Sequence, residues 1–71
     1  MNALKAKRNI AARSTADLCG LFERTNKKEY SQAVAVVRGL IMDEIEERNP
    51  QGFAKWLEEY APDNKLKNYV L

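Results

Sequence analysis

The chain has 71 residues, of which 45% are hydrophobic and 31% charged, and carries a net charge of +2, one cysteine and no histidine. That length allows one domain, which hides only about 60% of the surface its unfolded form exposes. A lone cysteine excludes an internal disulfide, and the missing histidines exclude a metal site of the usual nitrogen and sulfur ligands within one chain.

The charge is small but unevenly spread. Residues 1 to 28 hold seven basic side chains against two acidic ones, a balance of +5, whereas residues 29 to 71 hold five against eight, a balance of −3. The molecule is electrically two-ended, which fits either a nucleic-acid patch beside an acidic face or simply solvated surface. No apolar stretch of signal-peptide length follows the first lysines and arginines, and no run reaches the ~20 residues that span a bilayer. A reducing cytoplasm is the expected location, with no membrane partner.

Residues 1 to 13 are rich in Ala, Lys and Arg, good helix formers, with Leu4 as the expected anchor. They read as a basic arm or first helix. Ser14-Thr15-Ala16-Asp17 then has the form in which a serine caps a helix and an acidic side chain reaches back to it. Leu18, Leu21 and Phe22 follow at helical spacing. Asn26, with Glu29 three residues on, offers a second start of the same type.

The next helix holds the most apolar run of the chain, Ala33 to Met42, in which Arg38 is the only charge. Stepping ~100° per residue gathers Ala33, Val34, Val37, Leu40, Ile41 and Ile45 on one face, with Ala35, Gly39 and Met42 roughly opposite. A helix apolar on nearly every side is expected to be covered from two directions, by its own chain or by a second one. Gly39 costs about 1 kcal/mol of helix stability against Ala, which points to a close backbone approach there, either within the fold or at a self-association seam.

Asn49-Pro50 ends this helix and starts another, because proline disfavours helical geometry in the residue before it and suits the first helical position. Phe53, Trp56, Leu57 and Tyr60 form the amphipathic stripe of that last helix, which stops before Ala61-Pro62. Beyond it Leu66, Tyr69, Val70 and Leu71 make an apolar end that is expected to dock.

The pattern therefore predicts an all-α fold, a small three-helix bundle with helices at about 15 to 24, 27 to 48 and 50 to 60. Its domain occupies residues 14 to 62, after a basic arm at 1 to 13 and before a tail at 63 to 71. The expected core is Leu18, Leu21, Phe22, Val34, Val37, Leu40, Ile41, Phe53, Trp56 and Leu57.

Candidate chemistry is thin. Asp43, Glu44, Glu46 and Glu47, with Glu58 and Glu59, spread around two helices as solvated surface. Glu44 alone falls inside the apolar stripe, where it needs a partner or an exit to water: it pairs with Arg48 or caps a neighbouring helix at the domain edge, or else serves as an acidic anchor for a partner. Cys19 has no histidine to activate it and reads as a small apolar residue. Gly20 lacks the spacing of a phosphate-cradling loop, and the junction Glu23 to Glu29 lacks the glycine common in helix-turn-helix motifs. No catalytic pair can be named, and no cofactor is implied.

Two functional expectations remain. One is a protein-interaction module that self-associates or binds another protein through Ala35, Gly39 and Met42. The other is a nucleic-acid-associated regulator in which Lys5, Lys7, Arg8, Arg13, Lys27 and Lys28 contact phosphates, without interleaved aromatic residues for stacking. The segment Val37-Arg38-Gly39-Leu40-Ile41-Met42-Asp43-Glu44-Ile45-Glu46-Glu47-Arg48-Asn49-Pro50, followed by Phe53-Ala54-Lys55-Trp56-Leu57, resembles very short bacterial proteins often carried by phages, plasmids or other mobile elements. That likeness covers roughly residues 14 to 60 and implies a mobile-element context, with no activity to transfer to any residue.

Overall fold

A computed structural model describes residues 3–27 and 29–71. Among them five α-helices and one short 3-10 turn follow each other with no strand: α1 Ala3–Ala11, α2 Thr15–Asn26, α3 Gln32–Arg48, α4 Pro50–Glu58, the turn Asp63–Lys65, and α5 Leu66–Val70. The all-α class is as expected. The three-helix bundle is extended at both ends: the basic first residues form a helix, the second of the two alternatives read for them, and the tail supplies a short helix of its own.

The helix starts are set by short polar side chains. Ser14 Oγ accepts from the Asp17 backbone N–H at 3.1 Å, Ser31 Oγ from that of Val34 at 3.1 Å, and Asn49 Oδ1 from that of Gly52 at 2.9 Å. Each satisfies a donor that the first helical turn leaves open. The cap at Ser31 corrects the expected start near Lys27. Asn26 is the last residue of α2 instead, so that α3 is one continuous rod but begins five residues later.

Helix α3 packs against α1, α2 and α4, while α5 returns to pack on α4 and α2. The core between them consists of Ile10, Leu18, Cys19, Phe22, Ile41, Ile45, Phe53, Trp56, Leu66 and Val70. Three aromatic rings form its centre. Phe22 meets Trp56 edge-on at 5.9 Å between centroids, and Phe53 lies 5.7 Å from Trp56 at a tilt of 37°. Both are favoured geometries for ring quadrupoles, worth about 0.5–1.5 kcal/mol per pair beyond the area buried. The indole N–H donates to the Pro62 carbonyl at 3.1 Å, so burying Trp56 leaves no polar atom unpaired.

Several expected core positions lie further out. Leu57 is 48% exposed, and Leu21, Val37 and Leu40 pack at the margin rather than the centre. Val34 is half-buried. The places they leave are taken by Ile10 from α1 and by Leu66 and Val70 from α5. Coverage of α3 is consequently one-sided: Ile41 and Ile45 are fully buried, whereas Ala33, Val36 and Gly39 face solvent.

At Gly39 it is the approach within the fold that is corrected: among the described residues nothing would meet a Cβ built there within 4 Å. Gly52 is the glycine that does this work. A Cβ there would overlap the backbone carbonyl of Tyr69, because α5 lies directly on the first turn of α4.

Helix α4 ends in a Schellman motif, with the Ala61 N–H on the Trp56 carbonyl at 3.3 Å and the Tyr60 N–H on that of Leu57 at 3.1 Å. This motif places its first non-helical residue in the left-handed region, where glycine is the usual occupant. Here it is Tyr60, at φ 53° and 94% exposed. A side chain in that conformation costs roughly 1–2 kcal/mol. Tyr60→Gly is therefore expected to stabilise the fold by about 1 kcal/mol, read as a melting temperature about 4–8 °C higher.

Candidate functional site

Arg38 is the point where the apolar run meets the rest of the molecule. Its Nη1 donates to the Phe22 carbonyl at 3.3 Å and to Thr25 Oγ1 at 3.0 Å, and its Nη2 to Asp63 Oδ2 at 2.8 Å. The guanidinium carbon stands 4.2 Å from the centroid of the Phe22 ring. Thr25, a buried polar residue, donates in turn to the Phe22 carbonyl at 2.7 Å. One side chain of α3 therefore ties the C-terminal half of α2 to the 3-10 turn. This is the work of a fork with several donors and a flat face, which lysine cannot do.

Arg48 performs a similar task at the other end. Its Nε donates to Glu44 Oε2 at 2.9 Å, its Nη1 to Thr15 Oγ1 at 3.2 Å and its Nη2 to the Ala11 carbonyl at 3.0 Å. The pairing of Glu44 with Arg48 is as expected, and the same guanidinium also joins the end of α1 to the start of α2. These two arginines are structural clamps; their charge is already used.

The sequence-predicted surface residues share one flank of α3. Gly39 is exposed, Ala35 and Met42 are half-buried beside it, and Met42 rests against the core margin. Val36, 38% exposed, extends this surface to the other side of Gly39. Further along the helix the outer face turns acidic, with Asp43, Glu46 and Glu47 all exposed. Val36 was not singled out, although at ~100° per residue it falls beside Gly39 on the side away from Ile41 and Ile45.

The basic candidates separate into two places. Lys5, Lys7 and Arg8 are exposed on α1, and Arg13 is exposed in the turn after it. Lys27 caps the far end of α2 and lines a cleft of ≈ 250 Å³ with Glu23, Asn26, Pro62, Asp63 and Asn64. Lys28 lies outside the described residues. The Asp63 carboxylate in that cleft is already engaged by Arg38.

Cys19 is 3% exposed, and burial pushes its thiol above the ordinary range, with Glu23 reinforcing the shift and Lys67 opposing it. A thiol held neutral is a poor nucleophile. Tyr69 is raised as well, chiefly because its hydroxyl donates to Glu59 at 2.8 Å. For both groups the folded state holds its proton longer than the unfolded chain does. Their contribution is complete below the unfolded ionisation, from about pH 8.5 for a thiol, and is lost as pH rises through the folded values. Urea midpoints measured from pH 8 upward are expected to fall, and to fall less in Cys19→Val.

Among the described residues no group of three or more His, Cys, Asp or Glu side chains is placed to hold a metal ion, and no helix is long and apolar enough to cross a membrane. No protein family matches the chain, and no curated protein or solved structure is measurably similar to it.

Proposed function

We propose that this chain is a small non-enzymatic interaction module that pairs with a second copy of itself through the solvent side of α3. The observation that carries the reading is the open space over Gly39, in the middle of the most apolar segment of the chain, beside Val36, Ala35 and Met42. A glycine there weakens the helix by about 1 kcal/mol and returns nothing inside the molecule. A second helix laid across that point recovers the cost, since the missing side chain lets two backbones approach closely. The buried, neutral Cys19 and the placement of Arg38 and Arg48 in structural pairs support a binding role over a catalytic one.

Light scattering from about 10 µM to about 1 mM tests this, with mass rising above 8.1 kDa as concentration rises. Gly39→Arg should hold the mass at the monomer value with its melting temperature at low concentration at or above that of the wild type, because the new side chain enters solvent and arginine favours the helix over glycine. A wild-type mass fixed at 8.1 kDa throughout would overturn the proposal. Gly39→Ala separates the two states further. It is expected to stabilise the dilute monomer by about 0.5–1 kcal/mol through helix propensity, while weakening association at high concentration.

A further inference from the structure

The outer residues of α3 form one line with a lopsided charge. At ~100° per residue Gln32, Val36, Gly39, Asp43 and Glu46 fall within about 80° of one another, and all five are exposed. Their spacings of four and three are those of a coiled-coil seam, in which two helices cross near ~20° and stay close along their length. Gln32, Val36 and Gly39 are uncharged, whereas Asp43 and Glu46, with Glu47 exposed beside them, make the C-terminal end acidic. None of these three carboxylates forms an ion pair among the described residues. Glu46 and Glu47 also stand in the last turn, where the helix dipole disfavours an anion. The other end has the contrary sign: α3 starts with the positive pole of its dipole, and residues 24 to 31, which lead into it, hold Arg24, Lys27 and Lys28 against Glu29 alone.

We infer that two copies of the chain pair antiparallel, about a two-fold axis at Gly39, with the acidic end of each α3 laid against the start of the other. This rests on the self-association proposed above and adds its orientation. Gln32 and Glu46 lie equally far from Gly39, each about 10 Å along the helix at ~1.5 Å per residue, so Glu46 of one copy comes opposite Gln32 of the other. There it meets a first turn whose backbone N–H groups lack intrahelical partners and whose dipole favours an anion. A parallel pair would instead set Asp43, Glu46 and Glu47 against the same three carboxylates of the second copy. Like charges facing across a seam are what excludes the wrong orientation in paired helices. An antiparallel contact is also self-complementary and closes at two copies, so the mass should level off at twice 8.1 kDa.

An equimolar mixture of Gln32→Cys and Glu46→Cys, oxidised in air and resolved by mass spectrometry, tests the orientation. Both positions are exposed, while the native thiol of Cys19 is buried. The disulfide joining the two different variants should outnumber each self-joined one by about tenfold, because a bridge needs its Cα atoms within about 7 Å. Adding Gly39→Arg to both variants should abolish it. Glu46→Lys, with unchanged far-ultraviolet circular dichroism, should weaken association by about tenfold, since it sets a cation against each of two helix starts. In a parallel pair the same change would tighten association by neutralising Asp43 and Glu47. Self-joined disulfides in the majority, a statistical mixture of all three, or Glu46→Lys associating as tightly as the wild type overturns the orientation while self-association stands. A wild-type mass fixed at 8.1 kDa overturns both.

Discussion

Gly52→Ala is expected to destabilise the protein by about 3 kcal/mol, against a total of roughly 4–10 kcal/mol for a chain of this length. Helix propensity alone argues the other way, since Ala exceeds Gly by about 1 kcal/mol within a helix. Steric overlap decides the sign. The added Cβ would run into the Tyr69 carbonyl and stand 3.0 Å from Asn49 Nδ2, the group that donates to the Val70 carbonyl and so holds the end of α5. Neither obstacle is a flexible side-chain tip: one is backbone, and the other is the cap of α4. Relief requires α5 to lift, taking with it Leu66 and Val70, which are 0% and 6% exposed. Thermal melting should show a drop of about 10–20 °C. A melting temperature equal to or above wild type would mean that α5 does not lie on α4 as described.

Arg38→Met has the next largest expected effect, a loss of about 2 kcal/mol. Methionine keeps the apolar stem but removes every donor, leaving Asp63 without its partner while its side chain is only 18% exposed. Breaking one half of a partly buried pair costs more than the pair contributes, because the remaining charge stays desolvated. The Phe22 carbonyl is spared the full loss, since Thr25 still donates to it. Combining Arg38→Met with Asp63→Asn should therefore cost less than the sum of the two single changes, by about 1 kcal/mol in a double-mutant cycle. Strict additivity in urea denaturation would show that the two groups do not interact in solution.

The helices were legible where a polar cap met a hydrophobic stripe. Ser14 announced α2, Asn49-Pro50 announced α4, and the stripes of Leu18 and Phe22 and of Phe53 and Trp56 pointed inward as their spacing required. The start of α3 was read five residues early because Asn26 is a good cap by residue type and local propensity cannot exclude it; the observed break lets α2 run through Asn26, and Ser31, which the pattern did not single out, caps α3. Ile10 was hidden by its setting, a single large apolar residue after a run of basic ones. The tail was readable in kind but not in detail, since Leu66 and Val70 are four residues apart but the partner they need lies in α4 and α2.

The glycines exchanged roles for a physical reason. Gly39 sits mid-helix, where a glycine is costly and attracts explanation, whereas Gly52 sits in a first turn, where its use becomes visible only once α5 returns across it. Arg38 shows the same limit: a charge inside an apolar run signals something, but not that a ring, a hydroxyl and a carboxylate 25 residues away will surround it. Of the candidate surface, Gly39 was named from sequence and Val36 was not, although the same helical spacing places it on the outer side.

The measurement that reaches the functional reading most directly is a dilution series of amide proton–nitrogen spectra of the labelled wild-type protein. Pairing through α3 predicts concentration-dependent shifts gathered at Ala35, Val36, Gly39 and Met42, with α4 and α5 unaffected. Spectra that do not change on dilution, or changes centred on Leu57 and Tyr60 instead, would contradict it.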